Sequence, residues 1–469
     1  MSNTGVILTT LVAYKLALVA IGWWARGRTS DNEAFFIGGR GLGAWVASLS
    51  YAAGSSSAWS ILGVSGIAFS QGIGAVWLLP GTLTGHVLVW FWLGRRLQSA
   101  AAAKRWVTLN DLIVDGMPDA FRRAVLLLAA GIIGFAFLFY IAAQFQGAAN
   151  TFAEVFAVDF TTSLLIGATV VLAYTLLGGF WAVSVTDAVQ AVLMLFASLL
   201  IPVLAIVELG GMAALGEGLT SVSTARQMSL TDGNAGWLAV GFVIGMWSIG
   251  VGPLGQPHLL NRLMALKDAR AFRRARVIAM CWFVIVLAGM FLAGLAGHVL
   301  IQSVADPERL LFTMTDRLLD PILAGIVVAA VLSAIMSTAD SQLLVAAAAV
   351  SHDLLRRGSL ALSRVVVVIL GGLAVGVALY LPEAIFSRVL FAWTALGAAF
   401  GPLVIARVLG WRVRPWAAFG SLATGFLLTA AFHLLPDTVG DVVERAVPFL
   451  ASGAVVAAGR GSRDRQGVC

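Results

Sequence analysis

Apolar residues in this chain run in long unbroken stretches, with short polar patches between them. There is little of the alternation that marks a half-buried strand. Stretches of roughly 18 or more apolar residues are long enough to cross a hydrocarbon core of about 30 Å as helices. Thirteen such intervals are predicted: 5–25, 43–70, 73–94, 124–145, 161–178, 185–207, 236–255, 277–301, 320–350, 365–381, 389–406, 416–434 and 446–459. The connections between them are too short for a soluble domain. The expected fold class is an all-α polytopic membrane protein.

Two of the intervals contain residues that do not favour helix. The second carries "AAGSSSAW" (Ala52 to Trp59) and the seventh "IGVGPLGQPH" (Ile249 to His258). Glycine, serine and proline release backbone groups that lipid cannot satisfy, so a broken helix is tolerated where it lines a polar cavity. Glycine is also common in ordinary membrane helices. The two breaks, however, lie five intervals apart, which matches inverted repeats flanking a transporter site. Intervals 2–6 would then form one half and intervals 7–11 the other, the second upside down. The corresponding boundaries are 1–42 for an N-terminal flanking helix and loop, 43–209 and 210–410 for the two repeats, and 411–469 for C-terminal flanking helices and a short tail.

The ninth interval raises a chemical question. From Val331 to Leu354 it reads "VLSAIMSTADSQLLVAAAAVSHDL", with hydroxyls and a carboxylate near its middle. At 100° per residue, Ala334, Ser337, Thr338 and Ser341 share one face, and Asp340 flanks that stripe on the Ser337 side. Small hydroxyls opposite a broken helix offer hard oxygen ligands that suit a weakly held alkali cation. Isolated serines and threonines more often bond back to carbonyls one turn earlier. Four aligned beside a carboxylate favour the ion site. A mid-membrane aspartate costs about 2.5–3.5 kcal/mol on insertion scales and so needs a reason. Asp187 and Asp340 are both placed toward a cytoplasmic exit path, with helix capping or pairing to a loop arginine as the alternative for Asp187. For the solute, the breaks at Gly54–Ser57 and Gly250–Gly255 offer backbone amides and helix-end dipoles to a carboxylate. Ser55, Ser57, Trp59, Tyr140, Trp247, Gly252 and Pro253 are the candidate substrate residues.

Composition sharpens this picture. The chain is 60% hydrophobic and 11% charged, with a mean hydropathy of +0.94. A soluble protein would carry about a quarter charged residues. The net charge of +7 does not form a nucleic-acid patch, because the basic residues sit in short loops. Arg226, Arg309, Arg317, Arg388 and Arg445 follow even-numbered intervals and Lys15 lies inside the first. Every other lysine and arginine follows an odd-numbered interval. Such a bias places the odd-side loops in the cytoplasm, the N-terminus outside and the C-terminus inside. The N-terminal run has no basic leader or cleavage site and is expected to be retained. Cys281 and Cys469 cannot form a disulfide framework.

"FFIGGRGLGAWVASLS" (Phe35 to Ser50), "YTLLGGFWAVSVTDAVQAVLM" (Tyr174 to Met194), "GQPHLLNRLMA" (Gly255 to Ala265), "IMSTADSQLLV" (Ile335 to Val345) and "AWTALGAAFGPLV" (Ala392 to Val404) resemble the sodium:solute symporter family. The likeness is greatest to its bacterial sodium/proline carriers. It implies a five-plus-five inverted-repeat core shared with the neurotransmitter-type symporters, with flanking helices. It also implies a main sodium site from the carbonyls of Ala53, Ser56 and Ala334 with the hydroxyls of Ser337 and Thr338. Asp187, Ser337, Asp340 and Ser341 match a second sodium or exit site found in some relatives, and Tyr140 matches a functional tyrosine. The chain departs from the proline carriers at Ser55, where they have aspartate, and at Ile249 and Pro253, where they have aromatics. Sodium is the expected coupling ion, and the missing carboxylate at Ser55 makes the proton the alternative.

The expected function is a cation-coupled symporter in the cell membrane that imports a small organic solute by alternating access. A neutral amino acid such as proline leads, with monocarboxylates next, because neither break holds a lysine or arginine to neutralise a second anionic group. A membrane sensor signalling through a separate kinase is the rival from another class. An enzyme is not expected, since Ser337 and Asp340 have no adjacent histidine and His258 and His352 are placed at cytoplasmic helix ends. Partners are a small-molecule solute and the lipid bilayer, with no nucleic acid; the sequence does not specify oligomeric state or stoichiometry.

Overall fold

The computed structural model describes residues 3–25, 36–177, 179–301, 303–355, 360–381, 385–436 and 438–461. Phe35, Arg26, Arg28, Arg356, Arg357, Arg463, Arg465 and Cys469 lie outside the described residues. Helix α1 (Asn3–Ala25) is followed by α2 (Ala44–Ser55), α3 (Val64–Gln71), α4 (Leu78–Val87), α5 (Gly94–Lys104) and the short α6 (Leu109–Val114). Two long helices, α7 (Asp119–Phe156) and α9 (Phe180–Leu209), enclose α8 (Phe160–Leu177) in sequence. Next come α10 (Met212–Val222), α11 (Gly236–Ser248), α12 (Pro257–Met264), α13 (Ala269–Leu300) and α14 (Leu310–Leu318). The chain closes with α15 (Pro321–Ala348), α16 (Leu360–Tyr380), α17 (Ile385–Val408), α18 (Pro415–His433) and α19 (Val442–Ala458). Helix covers every one of the predicted intervals, and 10 of the described helices are long and apolar enough to cross a membrane. Among the described residues there is no sheet, only the isolated bridges Leu42–Leu266 and Val413–Arg460.

The ends of the elements have local causes. Thr108 and Asp111 form a reciprocal capping box at the start of α6, and Asp268 and Asp320 accept amides that α13 and α15 leave unpaired. These are the bonds that satisfy free amides where no earlier turn exists. Both predicted breaks are present. Helix α2 stops at Ser55, where the Ser56 amide turns back to Ala53 O at 3.1 Å, and a π-type turn over Trp59–Gly63 restarts the helix into α3. Serine hydroxyls that bond to nearby backbone, as Ser55 Oγ does to Ala52 O at 3.0 Å, compete with the helical ladder there. The second break is a 3₁₀ stretch, Ile249–Gly255, containing Pro253, after which an extended Gln256 leads to Pro257 at the first turn of α12.

Burial separates a centre from a rim. In the most apolar 18-residue window, 94% of α17 and 83% of the α15 run are buried, against 17% of α1. A helix enclosed on all sides is a core element, whereas an apolar helix with most of its surface uncovered faces lipid. The α2 break lies against α15, the α11–α12 break lies against α17, and α7 packs on both central helices. The polar residues of the ninth interval are thus at the middle of the bundle.

Candidate ion and substrate site

Thr338 is fully buried on α15, and its Oγ1 lies 3.2 Å from Gly54 O and 3.5 Å from Ala53 O, at the broken end of α2. With the hydroxyl proton directed at Gly54 O, the oxygen lone pairs stay free to bind a cation. Ser337 Oγ bonds to Ala334 O at 3.3 Å, in the same turn. Thr338 thus joins α15 to the end of α2, the Ser337 hydroxyl is bonded within its own helix one residue away, and Ser56 is the turn residue whose amide bonds to Ala53 O. Carbonyls and hydroxyls without fixed charge make a neutral oxygen cluster, the ligand type that hard alkali cations prefer.

Arg262 was assigned to a cytoplasmic loop as an orientation signal. It is instead 1% exposed, on α12, and reaches into the core. Its Nη2 pairs with Asp187 Oδ2 at 2.7 Å and also donates to Ser341 Oγ. Nε donates to Ser50 Oγ at 2.6 Å, Ser50 in turn donates to Asp187 Oδ2 at 2.8 Å, and Nη1 donates to His258 O at 2.6 Å. The guanidinium sits 3.6 Å from the point a side chain on Gly54 would occupy, immediately beside the oxygen cluster. Asp187 lies two turns inside α9, which begins at Phe180, so the capping alternative does not apply and the pairing alternative does. Asp187 Oδ1 and Asp340 Oδ2 are both buried without a hydrogen-bond partner. Ser341 Oγ has Ser337 O at 2.7 Å and Asp340 Oδ1 at 3.2 Å as alternative acceptors for its proton.

His258 stands at a helix end, in the first turn of α12, but inside the bundle. It is fully buried, and Nε2 lies 3.2 Å from Gly54 O. A carbonyl only accepts, so Nε2 carries the proton. Gly54 O thereby receives both His258 and Thr338, which pins the broken end of α2 from two sides.

On the other side of the break, Tyr140 of α7 donates to Ser57 Oγ at 3.3 Å, and Gln144, one turn on, accepts the Ala58 amide at 3.1 Å. Two of the amides released around Ser56–Ala58 are thus already bonded within the protein. The Trp59 indole points back to Ser55 O at 3.4 Å, and its ring lies 6.5 Å from Trp393 and 6.2 Å from Phe386. Ser55, Ser57, Trp59 and Tyr140 are brought together with Trp393 and Gln144, which the sequence reading did not single out. Trp393 lies in a quoted family motif, but nothing in an apolar run marks which aromatic faces a partner.

Trp247 does not join them. It is 39% exposed, beside Trp77 at 6.2 Å on the outer surface of the bundle. Being two residues upstream of Ile249 rotates it by about 200° on a helix, away from the face that Ile249 buries. Gly252 and Pro253 are buried but act as packing: a side chain on Gly252 would come within 1.8 Å of Trp393 Nε1, which itself donates to Ile249 O at 2.9 Å.

A cavity of about 860 Å³ opens at the bundle end opposite Arg262. Phe386 lines it, and the Phe386 ring separates it from the buried Trp59 at 6.2 Å between centroids. Its rim carries the pairs Arg226–Asp232 and Arg445–Asp441. Ser57, Trp59, Tyr140 and Thr338 are themselves buried beneath the cavity, and the Arg262–Asp187 pair is buried on the other side.

Known proteins share both the sequence and this architecture. The sequence profile of the sodium:solute symporter family matches residues 35–425. The osmoregulated proline transporter OpuE of Bacillus subtilis is 33% identical over 464 residues, covering 96% of this chain and 92% of its own. The sodium/proline symporter of Escherichia coli is 32% identical over 442 residues, covering 90% and 86%. Among solved structures, a Na⁺-coupled sialic acid symporter in a substrate-bound outward-open state superposes with a TM-score of 0.80 at 15% identity, covering 97% of this chain and 99% of the other. Mhp1, a nucleobase-cation-symport-1 family transporter, gives 0.57 at 13% identity, with coverages of 92% and 96%. At such identities these two show a common fold. With its profile matched across most of its length and its helices broken where a polar site lies, the chain belongs to the sodium:solute symporter family.

Proposed function

We propose that this protein is a sodium-coupled symporter for a small neutral amino acid, with proline the leading solute. The observation that carries the reading is Thr338 Oγ1 lying against the Gly54 and Ala53 carbonyls at the α2 break, beside the Tyr140–Ser57–Trp59 group; the Ala334 carbonyl and the Ser337 hydroxyl on the same helix would complete the ligand set. An ion bound there lies next to the end of α2, so it favours the arrangement in which solute also binds; that shared stabilisation is coupling. Relatives named as proline transporters support the solute assignment. So does the pairing of Arg262, the cation beside Gly54, with Asp187, because a second solute carboxylate would then be buried without a partner.

Alternating access follows from the asymmetry of the two ends. The open cavity admits solute and ion toward Trp59, while Arg262 and Asp187 close the opposite path. Inward opening requires that pair to part, with Asp187, Asp340 and Ser341 along the exit. We place the Arg262 end in the cytoplasm on the loop-charge bias, with thirteen crossings, the N-terminus outside, and the two repeats at 43–209 and 210–410. In a variant lacking Cys281 and Cys469, single cysteines in 265–276 should resist an impermeant thiol reagent in intact cells, and those in 223–235 should label.

The functional test is radiolabelled proline uptake in proteoliposomes with and without an inward sodium gradient. Uptake should need sodium and be blocked by excess unlabelled proline but not by glutamate or sugars. Uptake driven by a proton gradient alone would overturn sodium coupling, and saturable sugar transport untouched by any amino acid would overturn the solute.

A further inference from the structure

A second polar place lies at the Arg262 end of the bundle, where α6, α12 and the end of α15 pack together around a cavity of about 10 Å³. Asn110, Asn261 and Asp353 line it, and the two asparagines are each 2% exposed. The side-chain oxygens of both asparagines are buried without a hydrogen-bond partner. Asp353 stands on the π-type turn Ala349–Leu354 that follows α15. It accepts Thr108 Oγ1 at 2.8 Å, Asn110 Nδ2 at 2.7 Å and His352 Nδ1 at 2.9 Å. A carboxylate only accepts, so the Asn110 amide nitrogen is fixed toward Asp353 and its oxygen is the atom left over.

The polar lining therefore offers acceptors: two carboxamide oxygens and a carboxylate. Buried acceptors without a donor or a cation are costly. A water donates to two of the three and leaves the Asp353 charge uncompensated. Among the described residues no lysine or arginine bonds to Asp353, and the nearby Asp111 carboxylate adds negative charge while its Oδ2 holds the Val107 and Thr108 amides. The cavity has room for about one water-sized particle, and a single hard cation suits all three oxygens at once. Both helices tie this place to the α2 break. On α15, Thr338, Gln342, Val345 and Ala349 follow one face, and the last two line the cavity roughly 10–16 Å further along the helix. Gln342 between them is fully buried, and neither of its carboxamide atoms has a partner. On α12, Asn261 follows by one turn His258, which holds Gly54 O.

We propose that Asn110 Oδ1, Asn261 Oδ1 and the Asp353 carboxylate form a sodium-binding site that ties α6, α12 and the end of α15 together. One positive charge balances Asp353, which selects a monovalent ion. The site stands apart from Thr338; its part in the transport cycle rests on the symporter reading. Because its ligands come from three elements, it is whole only while those elements are packed together. An ion bound in it favours that arrangement over any in which they part. Since α12 also carries Arg262, the partner of Asp187, the ion helps to hold this end of the bundle shut. Sodium accumulating on this side then slows the cycle.

The test follows melting of the purified full-length protein as sodium replaces choline at constant ionic strength, at about pH 8.5, where an imidazole is ordinarily neutral. Ser337→Ala with Thr338→Ala removes the hydroxyls of the transport site. This double variant should still melt several degrees higher in sodium, because an ion that binds the folded state stabilises it. Adding Asn261→Leu should remove most of that rise. Adding Asn261→Asp instead, which keeps an oxygen and brings a charge, should produce the rise at lower sodium. No sodium-dependent rise in the double variant would overturn the proposal and leave an ordered water only. A rise untouched by Asn261→Leu, or one given equally by magnesium, would overturn it as well. If the leucine variant does not fold, the aspartate variant decides, and an unchanged sodium requirement there overturns the site. In proteoliposomes, sodium trapped inside should slow proline uptake by the native protein several-fold more than uptake by Asn261→Leu; equal slowing would remove the gating role. No sodium-driven uptake at all would sink the symporter reading instead, and the melting series would still decide the ion site.

Discussion

The two broken helices use the same device for different ends. At the first break, Gly54 leaves room around it: a side chain there would meet nothing closer than 3.6 Å. The groups that surround it are polar side chains from two other helices, Thr338 of α15 and His258 and Arg262 of α12. At the second, Gly250, Gly252 and Gly255 are pressed against Gly81, Trp393 and Leu396 O, each closer than 2.5 Å to where a side chain would begin. One break frees carbonyls for a ligand; the other lets backbones touch. Symmetry of sequence position therefore does not imply symmetry of task. The ligand chemistry sits on the serine-rich side, and the glycine- and proline-rich side is the joint that holds it against α17.

Substitutions at the two breaks sharpen this contrast most. Gly252→Ala should abolish folded protein, because its methyl group would overlap the Trp393 indole and the neighbouring backbone has no room to yield. Gly54→Ala should fold, and its effect should fall on the sodium dependence. Equal yields of the two variants in fluorescence-detected gel filtration would erase the distinction.

The next largest effect tests the polar shell of the first break. Asp187→Asn leaves the Arg262 guanidinium buried without its anion, a loss of about 3–5 kcal/mol, read as a large fall in melting temperature. Asp187→Asn combined with Arg262→Gln should recover most of it, and an additive double variant would separate the two residues. Below that in size, Ser337→Ala with Thr338→Ala removes two ligands at about 1–1.5 kcal/mol each. The sodium concentration for half-maximal uptake should rise about 30- to 150-fold, with little change in yield. An unchanged sodium dependence would exclude these hydroxyls as ligands.

The smallest effects concern the solute. Tyr140→Phe removes the bond to Ser57 Oγ and should raise KM for proline several-fold. Trp247→Ala should leave KM within about twofold, since that ring lies at the outer surface. A larger effect of Trp247 than of Tyr140 would reverse the placement of the site.

The helical class and both breaks were legible because they follow from long apolar runs and from residues that cannot continue a helix. The Ala334–Ser337–Thr338–Ser341 face was legible from helical periodicity, and its meeting with Ala53 followed from pairing two polar anomalies in an apolar chain. Arg262 was misplaced because, beside other basic residues between two apolar runs, it looks like a loop residue, and the burial of His258 at its helix end was not legible. What brings both residues inside is the short amphipathic α12, whose course depends on Pro257 and on the bridge from Leu42 to the 265–267 backbone. Lys15 was legible only as a charge inside the first interval, because a single helix does not say which neighbour covers it. Trp247 was misread by two positions, and on a helix two positions reverse the face.

The Arg262–Asp187 pair has a consequence for the energetics of opening. Separating these charges in a dry core is prohibitive, so the path cannot widen by a simple dry hinge; water has to arrive as they part. The same water raises the local dielectric around Ser337 and Thr338 and offers a hydration shell to whatever ion they hold. Wetting thus serves both steps at once: the event that unlocks the gate also loosens the grip on the cargo behind it.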